Sequence, residues 1–258
     1  MGFGTYSLRG AEGVAAVRSA LELGYRLIDT AELYGNEVEV GEGWRQSGVA
    51  REQVFITTKF NRCWHSVDGA CQAAAASLER LGVDYLDLLL IHWPNPDQGM
   101  YVEAFKGLLK LLDEGVVRAV GTSNFKPAHL ERVREEMGAS PHVNQINLTP
   151  WAQRRAAVAY HQSHGVLTES WSPIKAAGLL SDPVVTRVAA AHEATPAQVV
   201  LRWHTQHGHL PIPKSASPAR QAENLASWDL TLSEAEMASL DGLDRGEVGI
   251  TDSDVYGN

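Results

Sequence analysis

The sequence is poor in cysteine: 258 residues hold only Cys63 and Cys71. One pair in a chain this long is no disulfide framework, so a reducing, cytoplasmic setting is expected. No apolar run approaches the roughly 18–20 residues that cross a bilayer. Met1-Gly2-Phe3-Gly4 has no basic segment leading into an apolar core, so no signal peptide is expected. Basic residues are also in deficit, with 22 Lys and Arg against 31 Asp and Glu and a formal net charge of −9. An acidic field of that size argues against nucleic acid or an anionic membrane as partner. It also requires that any anionic ligand meet a local cluster of positive charge. Charged residues make up 21% and are too evenly spread for a disordered chain, while 44% hydrophobic residues supply a large core.

What is present is a steady alternation of short apolar runs and longer amphipathic ones. Strands are expected at Gly2–Thr5, Arg26–Asp29, Val54–Thr58, Leu86–His92, Val116–Ser123, Val143–Leu148, Val166–Ser170 and Leu210–Pro213. Helical patterns fall at Ala11–Leu23, Val38–Ser47, Val67–Leu81, Val102–Asp113, Ala128–Met137, Arg154–His164 and Pro196–Gln206. Near-continuous apolar runs such as Leu86-Asp87-Leu88-Leu89-Leu90-Ile91 suit parallel strands covered on both faces. The expected fold is α/β: a single eight-stranded (β/α) TIM barrel over residues 1–258, with no linker or change of composition to mark a second domain.

Asp29, Lys59, His92, Asn124, Gln145 and Lys214 stand at or just beyond the C-terminal ends of six strands. In an α/β barrel those ends converge on one face, where active sites are built. Taken singly, each residue has a bland reading. Asp29 suits a helix N-cap, Tyr34 a half-buried loop aromatic, and Lys59 an exposed strand end. Six polar residues on one face are not explained by packing.

Several segments carry a resemblance. They are Gly24 to Glu37 (GYRLIDTAELYGNE), Ile56 to Lys59, Leu89 to Pro94 (LLIHWP), Gly121 to Phe125 (GTSNF), Val143 to Ile146 and Ile212 to Ser215 (IPKS). In order and spacing the chain resembles the aldo-keto reductases, and within them the bacterial branch similar to diketogluconate reductases. The resemblance implies an NADPH-dependent reductase of aldehyde or ketone carbonyls, with keto-sugars, diketones or small aldehydes as substrates. It also implies a monomer or weak oligomer.

Reducing a carbonyl with a nicotinamide hydride develops an alkoxide that must be protonated. An unperturbed tyrosine has a pKa of about 10, and a neighbouring ammonium favours the phenolate and lowers it. The resemblance makes Tyr34 the general acid, Lys59 the charge beside it, Asp29 the lysine's partner and His92 the donor that orients the carbonyl. Ser123, Asn124 and Gln145 are implied contacts of the nicotinamide carboxamide, and Trp171 stacks on the ring where many relatives have tyrosine. Gly4, Thr5 and Ser172 are further implied cofactor contacts. Lys214, Ser215, Arg220, Glu223 and Asn224 are implied to grip the adenosine 2′-phosphate, and the two cations are the local positive cluster that an acidic chain needs. Tyr6, Phe60 and Trp93 are expected to wall the substrate pocket, with Trp64 and the tail 249–258 adding to it.

Two departures from the family pattern are visible. The chain starts almost directly on the first barrel strand, without the hairpin that closes the barrel bottom in relatives. The segment Ser172 to Gly178 (SPIKAAG) lacks the usual glycine-rich wording near the cofactor pyrophosphate. Rival readings fare worse. A dinucleotide fingerprint at Gly2-Phe3-Gly4 has no strand before it and Ser7 where a third glycine belongs. A metal-dependent hydrolase needs several histidines at strand ends, but His204 and His207 lie on a late helix, with His209 just beyond, and no metal is expected. A non-enzymatic, cofactor-binding regulatory subunit on the same fold is the remaining alternative, and the intact Asp29, Tyr34, Lys59 and His92 set argues against it.

Overall fold

Where apolar runs have both faces to bury, strands pair in parallel and helices cover them. In the computed structural model, which describes residues 1–257, the strands are β1 (Phe3–Gly4), β2 (Leu27–Asp29), β3 (Phe55–Phe60) and β4 (Leu86–Ile91). They continue as β5 (Val117–Ser123), β6 (Val143–Asn147), β7 (Leu167–Trp171) and β8 (Leu210–Ile212). Each pairs in parallel with the next in chain order. The helices in the first half are α1 (Gly10–Leu23), α2 (Glu37–Ser47), α3 (Val67–Leu81) and α4 (Tyr101–Asp113). Those in the second half are α5 (Pro127–Met137), α6 (Arg155–Ser163), α7 (Pro183–Ala191), α8 (Pro196–Gln206), α9 (Pro218–Leu225) and α10 (Glu234–Asp241). Among the described residues no helix is long and apolar enough to cross a membrane.

The sheet closes through two bonds, from the Gly2 amide to the Pro211 carbonyl and from the Gly4 amide to the Pro213 carbonyl, both 3.0 Å. Backbone N–H and C=O of one strand residue point the same way, and proline has no N–H to give back. The seam is therefore one-directional, with β1 donating and β8 accepting. Gly121 in β5 faces the interior, where a Cβ would stand 2.6 Å from Leu90 Cδ2 and from the Val143 carbonyl oxygen. A side chain there would spread the barrel.

Pleating sorts each strand onto two faces. Outward residues such as Ile28, Ile56, Phe60, Leu89 and Ile91 pack against the helices in the main core. Inward residues Leu88, Leu90 and Val143 fill the lower barrel, against Ala119. At about 25 cal/mol per Å² of apolar surface removed from water, these two layers are the dominant favourable term in folding. Above the lower plug the inward residues turn polar.

The expected strands all form. Besides α9, two helices lie outside the expected helical patterns. α7 starts at Asp182, whose side chain accepts from the Val184 amide ahead of Pro183. α10 starts with a capping box between Ser233 and Glu236. Both carry ordinary start signals in segments too short to show a clear apolar stripe.

Candidate active site

β2 and β3 deliver the charged pair. Asp29 ends β2 and Lys59 precedes the last residue of β3, both on the inward face. Lys59 Nζ donates to the two Asp29 carboxylate oxygens at 2.7 and 2.8 Å and to the Thr30 carbonyl at 2.9 Å. Both side chains are almost fully buried. Burial works against the Lys59 ammonium, but Asp29 and neighbouring anionic groups more than offset it, and its pKa lies above the ordinary value. Lys59 is therefore a fixed positive charge.

Tyr34 follows on a single 3₁₀ turn, Glu32–Tyr34, ended by Gly35 in the left-handed region. Two buried or half-buried side chains hold that turn. Asn36 accepts from Thr30 Oγ1 and donates to the Thr5 and Leu8 carbonyls, each at 2.8 Å. Glu32 accepts from Trp64 Nε1 and from the backbone and side chain of Asn61. The Tyr34 ring is thereby set with Lys59 Nζ 5.1 Å from its centroid. His92 meets it edge-on at 5.9 Å and Tyr6 at 5.1 Å.

Burial lifts the Tyr34 phenol above its ordinary pKa, with Lys59 pulling down and Asp29 pushing up. The lowering expected from the lysine is present but is outweighed by burial, so the net direction is upward. Tyr34 keeps its proton at neutral pH. Burial, and then the Lys59 charge, hold His92 at about 3, so its ring is neutral. Its Nδ1 has no partner among the described residues.

β5, β6 and β7 build a second network beside this one. Asn124 lies just past β5 with φ +64°, a conformation asparagine tolerates better than most residues. Its Nδ2 donates to the His92 carbonyl and to Ser123 Oγ, each at 3.1 Å, and its Oδ1 accepts from Trp171 Nε1 at 2.9 Å. Ser123 Oγ donates to the Gln145 carbonyl at 2.9 Å. Gln145 Nε2 donates to Asp29 Oδ2 at 2.8 Å and to Glu169 Oε2 at 2.9 Å. The strand-end residues thus form one hydrogen-bonded group. Ser172 follows Trp171 with φ +50°, a strained value for serine.

Glu169 escaped the sequence reading. It lies in β7 two residues before Trp171, hence on the same inward face, and parity with Trp171 was the signal that could have found it. Burial, then the Asp29 charge, push its carboxyl up to about 7.

At the opposite side of the opening, Gly4 ends β1, and Thr5 just past it donates from Oγ1 to the Asp29 carbonyl. Past β8, Lys214 and Arg220 are exposed on either side of the start of α9. Among the described residues neither makes an ion pair, in a chain of net charge −9. Ser217 caps α9 by accepting from the Arg220 amide. Ser215 and Asn224 are buried, and Glu223 accepts from Thr195 Oγ1 at 2.8 Å. His204, His207 and His209 are engaged elsewhere: His204 is fully buried against Trp203, and His207 Nε2 meets Asp241 at 2.9 Å.

The aromatic wall is only partly as expected. Tyr6 is exposed at the opening, and Trp93 meets Tyr256 of the C-terminal tail edge-on at 4.9 Å. That tail is held by Lys126 against Asp252 and Asp254 and by His129 against Asp254. Trp64 serves the Glu32 turn instead. Phe60 has to be moved: it is fully buried among the outward-facing residues, because Lys59 before it takes the inward face. Asn258, expected within the tail, lies outside the described residues.

A model of the aldo/keto reductase family matches residues 1–245. The chain is 43% identical to 2,5-diketo-D-gluconic acid reductase B of a Corynebacterium species, over 99% of this chain and 92% of that protein. It is 42% identical to methylglyoxal reductase DkgA of Salmonella typhimurium, over 100% of this chain and 94% of that one. The crystal structure of a Gox0644 mutant in complex with NADPH superposes with a TM-score of 0.95 at 40% identity, covering 99% of this chain and 93% of that one.

Proposed function

The chain belongs to the aldo/keto reductase family, and from that membership we propose that it reduces small aldehyde or ketone carbonyls with NADPH, Tyr34 giving the proton. NADPH, when bound, supplies the hydride. Everything else falls to side chains of this chain. As negative charge develops on the carbonyl oxygen, the Tyr34 O–H donates to it and then transfers its proton. The phenolate left behind faces the Lys59 ammonium, whose charge Asp29 holds in place. His92 is neutral and contributes an N–H that orients the same oxygen. Burial of Asp29 and Lys59 strengthens this electrostatic support, since water does not screen it.

The residues fit the cofactor. Gln145 Oε1 accepts from no protein group among the described residues, and Ser123 and Asn124 stand beside it, so these three take the carboxamide. Trp171 stacks on the ring, its plane tethered through Asn124. Gly4, Thr5 and Ser172 complete the contacts to the cofactor. Lys214 and Arg220, without acidic partners among the described residues and flanking a helix start, take the 2′-phosphate, with Ser215, Glu223 and Asn224 around them. Tyr6, Trp93 and Tyr256 wall the substrate side.

One observation carries the reading: the buried Lys59–Asp29 pair beneath the Tyr34 ring with neutral His92 at its edge. The substrate class follows from the relatives' names, keto-sugar acids and small dicarbonyls. The test is a screen of NADPH oxidation against methylglyoxal, diketones, keto-sugars and simple aldehydes. Turnover with at least one dicarbonyl or keto-sugar is expected. Tight NADPH binding without turnover of any carbonyl would point instead to the non-enzymatic alternative.

A further inference from the structure

The reaction just described leaves the buried carboxyl of Glu169 unused. Its place is defined from several elements. It is 1% exposed, on the inward face of β7, paired in register with Gln145 of β6 and Leu210 of β8. Its Oε2 accepts from Gln145 Nε2. Below, it borders a cavity of about 460 Å³ at the N-terminal ends of the strands, which Leu27, Leu88, Val143 and Leu210 also line.

A primary amide has two N–H hydrogens on nitrogen and two lone pairs on oxygen. Gln145 gives one hydrogen to Asp29 and the other to Glu169. Turning the amide over would set its oxygen against two carboxyl groups, so only one orientation is satisfied. With both hydrogens committed below, Oε1 is the atom left for the opening. Asp29 alone fixes the nitrogen end at one point, since its Oδ2 also serves Lys59 at 2.8 Å. The second point, which fixes the amide plane, comes from Glu169.

We propose that Glu169 is a positioning residue: it locks the Gln145 amide with Oε1 turned to the nicotinamide carboxamide and ties that grip to the Asp29–Lys59 pair. The proposal rests on the reading that Gln145 contacts the carboxamide. A carboxamide N–H donates to Oε1, so the effect falls on cofactors that possess that N–H. The reduced acetylpyridine analogue of NADPH, with a methyl in place of the NH₂, lacks it.

The test compares Kd and kcat for NADPH and this analogue in the full chain and in three variants. In the wild type the carboxamide form is favoured by about 2- to 10-fold, the worth of one neutral hydrogen bond. Glu169→Met keeps length and suits the apolar surroundings, and should bring the two cofactors within about 2-fold by weakening NADPH alone. Glu169→Gln offers an acceptor oxygen in the same place and should restore the preference. Gln145→Leu should abolish it as well. If Gln145→Leu keeps the preference, the carboxamide reading fails. If Gln145→Leu loses it while Glu169→Met keeps it, the role of Glu169 fails alone. A wild-type measurement guards against a variant that does not fold. Both side-chain N–H resonances of Gln145 should exchange slowly with solvent, and fast exchange of either would overturn the proposal.

Discussion

A carboxyl group held inside a barrel must leave a mark on stability that depends on pH. Glu169 is the case to work through. Its pKa rises from the ordinary 4.5 to about 7, chiefly by burial and then by the Asp29 charge, with the Gln145 hydrogen bond and the Lys59 ammonium acting the other way. The amino group of Met1 and Arg26 face the same lower cavity. The native state keeps its proton where the unfolded chain has lost it, so stability is fully present below about pH 4.5 and falls as pH rises through 7. At about 1.4 kcal/mol per unit, the total is about 3 kcal/mol, of which about 2–3 kcal/mol falls between pH 5 and 8. Other groups act oppositely. His65, His161 and His209 sit at about 4 and His92 and His204 at about 3, so all are neutral when folded and cost stability as pH drops below 6.5. The absolute curve therefore bends at both ends, and the difference between Glu169→Gln and wild type isolates the glutamate. Urea denaturation at pH 5 and pH 8 should show the variant gaining about 2–3 kcal/mol on the wild type between the two. In a melting experiment this is roughly 5–10 °C for a chain of this size. Curves that stay parallel across that range would mean that Glu169 is ionised in the native protein, and the reasoning would be wrong.

Other consequences are more direct. Arg220→Ala should weaken NADPH by roughly 10- to 150-fold and leave NADH almost unchanged, because a charge-assisted bond to phosphate is worth about 1.5–3 kcal/mol. Fluorescence titration checks this, and equal losses for both cofactors would place Arg220 away from the 2′ position. Lys59→Met strands the Asp29 carboxylate inside the barrel and should cost about 3–5 kcal/mol in urea denaturation. A loss below about 1 kcal/mol would mean that Asp29 takes up a proton or finds water.

The barrel was legible because eight short apolar runs alternate with amphipathic ones, and six of them carry a polar residue at or just beyond the C-terminal end. That placed Asp29, Lys59, His92, Asn124 and Gln145 on one face, where the structure links them by hydrogen bonds. Phe60 was misplaced because its nearness along the chain to Lys59 outweighed pleat parity, which sends neighbours to opposite faces. Glu169 was missed for the related reason that one acidic residue in a strand is normally read as solvent-facing. The upward shift at Tyr34 depends on how deeply the Glu32–Tyr34 turn is packed, and no local pattern encodes that. Nor does local sequence reveal that Lys126 holds Asp252, a contact across 126 positions.

The central claim is that Tyr34 gives the proton and that the rest of the site supports it. Tyr34→Phe removes one oxygen from a ring whose edge contacts with Tyr6 and His92 can persist. Steady-state kinetics should show kcat falling by about 10²–10⁴-fold. NADPH Kd, measured separately, should stay within about 2- to 3-fold, since the phenol acts on the carbonyl oxygen. A variant that retains more than about a tenth of wild-type kcat would contradict the assignment, whatever its affinity for the cofactor.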